Sequence, residues 1–191
     1  YLIQHSAGSG KSNSISWLAH QLTTLYDKNK VNNVFDTVIV VTDRRVLDDQ
    51  IQKNIKQFEQ VKGVVEAITE GSRQLKDALL DGKKIIITTI QKFPYIAKEI
   101  GELAQNKFAI IIDEAHSSTS GSTLRQLNET LYKKMEGEED FMDEEDAANN
   151  NDELLQMIAQ TRKLLSNASY FAFTATPKNK TLNLFGVPYQ D

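Results

Sequence analysis

Three stretches limit what this chain can become: Thr37-Val38-Ile39-Val40-Val41, Lys84-Ile85-Ile86-Ile87-Thr88-Thr89 and Phe108-Ala109-Ile110-Ile111-Ile112. Each has an unbroken apolar centre, flanked in the first two by threonine or lysine, and is rich in β-branched side chains and only five or six residues long. A strand with one wet face alternates apolar with polar residues; a strand that is apolar throughout must be covered on both faces. Helical patterns lie between the runs. Strands of this kind alternating with helices specify an α/β fold, a parallel sheet with helices on both faces.

The remaining elements follow from spacing. Leu2-Ile3-Gln4 reads as the end of a buried strand. A helix begins near Lys11, its apolar face formed by Ile15, Leu18, Ala19, Leu22 and Leu25. A second helix is expected from about Val46 to Phe58. A short strand around Val64-Val65 and a helix across Gln74 to Leu80 come next. Later helices are expected from Ser122 to about Lys134 and from Asp152 through Leu154, Leu155, Ile158 and Leu165. Tyr170-Phe171-Ala172-Phe173 reads as the last strand. No internal repeat is visible.

Between the first strand and the first helix stands His5-Ser6-Ala7-Gly8-Ser9-Gly10-Lys11-Ser12. A glycine-rich loop running from a strand into a helix is the setting of a P-loop. Ala7, Gly8, Ser9, Gly10, Lys11 and Ser12 form the expected phosphate cradle. Gly8 and Gly10 let the backbone turn its N–H groups toward phosphate oxygens, and the helix N-terminus favours the same negative charge. Lys11 would reach the β- and γ-phosphates of ATP, and the Ser12 hydroxyl would hold Mg²⁺. The general pattern has glycine six residues before the lysine; here that place is His5.

Ile110-Ile111-Ile112 runs directly into Asp113-Glu114-Ala115-His116. In open α/β sheets ligands bind beyond the carboxyl ends of the strands, so this segment is expected at the phosphate loop. Asp113 is suited to Mg²⁺, directly or through its water shell. Glu114 is suited to orient and deprotonate an attacking water, a role worth roughly 10²–10⁴-fold in rate. With Lys11 these are the candidate catalytic residues. With no cysteine and only His5 and His20 as further histidines, His116 has no zinc-ligand set. Phe171-Ala172-Phe173-Thr174-Ala175-Thr176-Pro177 again ends an apolar strand in polar residues. There His116, Thr174 and Thr176 would link phosphate state to movement.

Composition narrows the partners. At 191 residues the chain is one sizeable domain, and 40% hydrophobic with 25% charged residues is ordinary for a soluble one. Having no cysteine, the chain has no disulfide framework, which fits a reducing cytoplasm. No apolar run approaches the roughly 20 residues that span a bilayer. The net charge of −4 conceals an asymmetry: residues 136–151 begin with eight acids and no base. Without them the rest stands at about +4, enough for a basic face. This acidic stretch reads as a mobile insertion. Tyr1 already appears as part of a strand, so the chain is expected to be a fragment of a longer protein.

The P-loop, the Asp-Glu-Ala-His segment and Thr174-Ala175-Thr176 occur in the order of motifs I, II and III of superfamily 2 helicases, and the whole chain resembles the first RecA-like motor domain of that group. Val40-Val41-Thr42-Asp43-Arg44-Arg45-Val46-Leu47-Asp48-Asp49-Gln50 resembles motif Ia of the type I restriction enzyme R subunit. Ile86-Ile87-Thr88-Thr89-Ile90-Gln91-Lys92-Phe93 and the histidine of the phosphate loop are also similar to that family. The resemblance implies a motor that moves duplex DNA with ATP, a second motor domain with an arginine finger, a separate nuclease domain, and modification and specificity subunits as partners. It implies backbone contacts to DNA from Thr42, Arg44, Thr88, Thr89 and Gln91, residues able to donate to phosphates without reading bases. Surface pairing of Arg44 and Arg45 with Asp48 and Asp49 competes with that role, and Lys92 also reads as a solvated helix residue. Another superfamily 2 helicase, a type III restriction motor, and a nucleotide-gated binding module without motor activity are the alternatives.

Overall fold

The computed structural model describes residues 1–6, 8–42, 49–57, 63–69, 71–89, 92–113, 165–177 and 179–185. Within them lie six strands: β1 (Leu2–Gln4), β2 (Thr37–Thr42), β3 (Val65–Ala67), β4 (Ile85–Thr89), β5 (Phe108–Ile112) and β6 (Ala168–Thr174). The described helices are α1 (Lys11–Thr23), α2 (Asp49–Gln57), α3 (Ser72–Leu80), α4 (Phe93–Glu102) and α5 (Asn179–Phe185). The expected helices over 122–134 and 152–165, apart from Leu165, and the acidic stretch 136–151 lie outside the described residues.

All six strands are parallel, in the order β1-β6-β5-β2-β4-β3. The three apolar runs are the neighbours β5, β2 and β4, buried along their whole lengths. Their side chains alternate between two cores. Val38, Val40, Ile85, Ile87, Ala109 and Ile111 pack with Ile15, Ala19 and Leu22 of α1 and Ile51 and Ile55 of α2. Ile39, Val41, Ile86, Phe108, Ile110 and Ile112 pack on the other face with Leu75, Ala78 and Leu79 of α3 and Ile96 and Ile100 of α4. Helices cover both faces, as the unbroken runs require.

The helix after the glycine loop starts where expected, at Lys11, but ends at Thr23. Leu25 therefore lies beyond it, 44% exposed, and is not part of its apolar face. The short edge strand falls one residue later than Val64-Val65, over Val65–Ala67.

Candidate nucleotide site

Parallel strands bring all their carboxyl ends to one edge of the sheet, and the predicted site residues collect there. The glycine loop leaves β1, Thr174 ends β6, Asp113 follows β5, Thr42 ends β2 and Thr89 ends β4. Gly8 and Gly10 have φ of 74° and 91°, the left-handed region that L side chains avoid. Gly8 borders open space, with nothing within 4 Å of where a Cβ would stand. Gly10 is the N-cap of α1 and offers no side-chain acceptor, and the first turn of α1 carries no acid. A helix usually neutralises its positive end with a capping oxygen or an acid. This one keeps that end available for an anion.

Lys11 lies across the gap to β5. Its Nζ is 3.1 Å from Oδ1 of Asp113, and the two side chains are only 12% and 10% exposed. Asp113 is fixed in turn by its own N–H, which donates to the Val41 carbonyl of β2 (2.9 Å). The ion pair thus joins a flank strand's loop to the centre of the sheet. Ser12 follows Lys11 in the first turn of α1, half-buried, with its carbonyl accepting from the Ser16 hydroxyl (2.8 Å). These residues suit a metal-bound triphosphate: a cationic side chain, a hydroxyl and a carboxylate beside a glycine loop at a helix N-terminus.

Two side-chain bonds fasten α2 against α1. Asn54 Nδ2 donates to Asn13 Oδ1 (2.7 Å), and His20 Nε2 lies 2.9 Å from the Ile55 carbonyl. Asn13 is two residues beyond Lys11, so α2 is tied to the first turn of the helix that carries the lysine.

Thr174 is wholly buried, and its carbonyl accepts from the His5 N–H (2.9 Å); Thr176 is exposed in the turn that follows. Ala7, Arg44, Gln91, Glu114 and His116 lie outside the described residues. The three threonines expected to face DNA are placed otherwise. Thr42, Thr88 and Thr89 are buried strand residues, and the Thr42 hydroxyl donates to the Thr88 carbonyl (3.4 Å). The Thr42 bond links the ends of β2 and β4, and all three side chains are enclosed in the sheet. Lys92 is also interior, its ammonium 3.4 Å from the Ile68 carbonyl, contrary to its reading as a solvated residue.

A glycine loop facing an acid across the carboxyl edge of a parallel sheet is how P-loop nucleotide-binding domains of the RecA-like type are built. The chain belongs to the SWI2/SNF2 ATPase family, which matches residues 2–189. No curated protein matches it in sequence. Among solved structures it is similar to the Hef helicase domain of Pyrococcus furiosus, with 15% identity and a TM-score of 0.58 over 98% of this chain and 33% of that one. It is also similar to the UvsW helicase of bacteriophage T4, with 12% identity and a TM-score of 0.52 over 96% of this chain and 49% of that one. The chain thus spans between a third and a half of the structures it resembles. Among the described residues no helix is long and apolar enough to cross a membrane.

Proposed function

We propose that this chain is the first motor domain of an ATP-driven DNA translocase, binding ATP between the glycine loop and the end of β5. The observation that carries the reading is the Lys11–Asp113 pair at 3.1 Å, which supports a cation for the phosphates and a carboxylate for the metal side by side. Gly8 to Ser12 hold the phosphates, and the Ser12 hydroxyl and Asp113 carboxylate hold Mg²⁺. Held there, Mg²⁺ would supply charge neutralisation to the phosphates. Lys11 then moves its charge from Asp113 to the phosphates. Glu114 accepts a proton from the water that attacks the γ-phosphorus, and ADP leaves. A second motor domain of the same protein closes on the nucleotide and supplies an arginine.

Within that reading, the resemblance of residues 40–50 and 86–93 favours the R subunit of a type I restriction enzyme, with a nuclease domain and modification and specificity subunits as partners. The DNA contacts rest on Arg44 and Gln91, since Thr42, Thr88 and Thr89 are interior. The test is ATP turnover by the intact protein with and without duplex DNA, comparing the natural sequence with Glu114→Gln. DNA-stimulated hydrolysis that disappears in the variant supports the motor and its base together. Nucleotide binding with no hydrolysis by the intact protein and its partners would overturn the motor reading and leave a binding module.

A further inference from the structure

His5 occupies the place where phosphate loops of the general pattern begin with glycine, and its ring makes contacts no glycine can make. Nδ1 is 2.6 Å from Ser9 Oγ, in the middle of the loop, and Nε2 is 2.9 Å from Ser14 Oγ, in the first turns of α1. The single proton of the Ser9 hydroxyl goes to the Ser6 carbonyl (2.5 Å). Ser9 Oγ is therefore the acceptor toward the ring, and Nδ1 carries the hydrogen. A neutral imidazole has one such hydrogen, so Nε2 accepts from Ser14. The ring also sits against Phe173 of β6, centroids 6.5 Å apart at 44°, while the His5 N–H bonds the Thr174 carbonyl. One residue thus ties the loop, the helix and the last strand to each other.

We propose that His5 is a positioning residue, which through Ser9 holds the phosphate loop in its binding shape before nucleotide arrives. The inference rests on the nucleotide-binding reading above. A loop already shaped loses little freedom when ligand binds, whereas an untethered loop must be ordered by the nucleotide itself. Removing the tether weakens ground-state and transition-state binding alike, so KM for ATP rises and kcat stays. One hydrogen bond of ordinary strength corresponds to about two- to ten-fold in affinity.

The experiment compares His5→Ala, His5→Asn, His5→Gln and Ser9→Ala in the intact protein, measuring ATP dissociation constants, KM, kcat and nucleotide-free melting temperature. The amide nitrogen of asparagine reproduces Nδ1 and donates to Ser9; the amide of glutamine reaches the place of Nε2, where its oxygen accepts from Ser14, and does not reach Ser9. The expected result is a KM and Kd increase of about two- to ten-fold for His5→Ala with kcat unchanged. Ser9→Ala should match it, the double variant should be no worse, and His5→Asn should restore affinity while His5→Gln does not. Should His5→Ala fail to fold, Ser9→Ala removes the same bond from the other side together with the bond to the Ser6 carbonyl, and the contrast of His5→Asn with His5→Gln isolates the contact to Ser9. Unchanged affinity in Ser9→Ala, rescue by glutamine in place of asparagine, or a loss confined to kcat would overturn the proposal. A natural protein that binds no ATP would instead overturn the nucleotide-binding reading, and this inference with it.

Discussion

Lys11 and Asp113 form a buried ion pair in the nucleotide-free domain, and breaking it from one side has a predictable cost. At 3.1 Å and an effective dielectric constant of about 20, their attraction is about 5 kcal/mol. Each charge gave up several kcal/mol of hydration to reach that position, so the pair as a whole contributes little to stability. Loss of one partner is different, because the other charge stays desolvated with its compensation gone. Lys11→Met should therefore lower the unfolding free energy of the 191-residue chain by about 3–5 kcal/mol. Asp113→Asn should cost less, about 1–3 kcal/mol, because the amide oxygen still accepts from the ammonium. The double variant should be less destabilised than the sum of the two by about 2 kcal/mol or more. Urea denaturation without nucleotide measures all four corners of the cycle. The coupling should persist at high salt, since charges about 90% buried are weakly screened. Additivity within about 0.5 kcal/mol would refute the reasoning, showing that the charges do not depend on each other.

Other perturbations have equally definite outcomes. Gly10→Ala should destabilise the nucleotide-free domain by about 1–2 kcal/mol through its φ of 91° alone, because the nearest atom to the new Cβ, Asn13 Nδ2, is 4.0 Å away; urea melts read it, and a neutral result would show that the loop can change its turn. Asn167 donates its amide to the carbonyls of Ile100, Leu103 and Asn106, which end α4 and begin the turn to β5. Asn167→Ala should cost about 1–3 kcal/mol by the same assay. The N–H of Val31 holds the Asp27 carboxylate below its usual range, so the turn over residues 27–32 should keep this contribution above the unfolded aspartate pKa and lose it as pH falls through the lowered folded value. Carbon-detected NMR titration of Asp27 should find its midpoint below that of an unstructured aspartate.

What could be read from the residues depended on how strongly burial shaped each segment. β2, β4 and β5 were legible because both faces are dry and no polar residue interrupts them. The phosphate loop and Asp113 were legible because anion binding demands specific residue types at fixed spacing. α4 is not among the helices read from spacing, although Lys92 reads as a helix residue and Pro94 with the four-residue spacing of Ile96 and Ile100 signals a helix start and its buried face. α5, only seven residues long, has too few turns to show a period. The threonines that end β2 and β4 were assigned to DNA by resemblance, which carries a motif's residues over without their burial. Thr42 of β2 and Thr89 of β4 are still in register with each other in the ladder, which keeps those hydroxyls inside. The tether made by His5 joins partners four and nine residues away through a folded loop, a relation that spacing alone does not reveal.

The pairing of β1 with β6 sets an order of assembly. The strand that launches the phosphate loop lies at the edge of the described sheet, where its ladder is to a strand about 170 positions later in the chain: Leu2 faces Ala172, Ile3 faces Phe173 and Gln4 faces Thr174. Contacts so distant in sequence close a large loop, and they form slowly compared with local ones. During synthesis β2, β4 and β5 emerge and can pair while β1 still waits for its partner. Residues of β1 are thus made well before they can be fixed, and the start of the phosphate loop is anchored only once β6 is in place. A chain interrupted anywhere before Ala168 would retain the glycine loop in its sequence, held through α1 on one side but without the strand that β1 pairs with on the other.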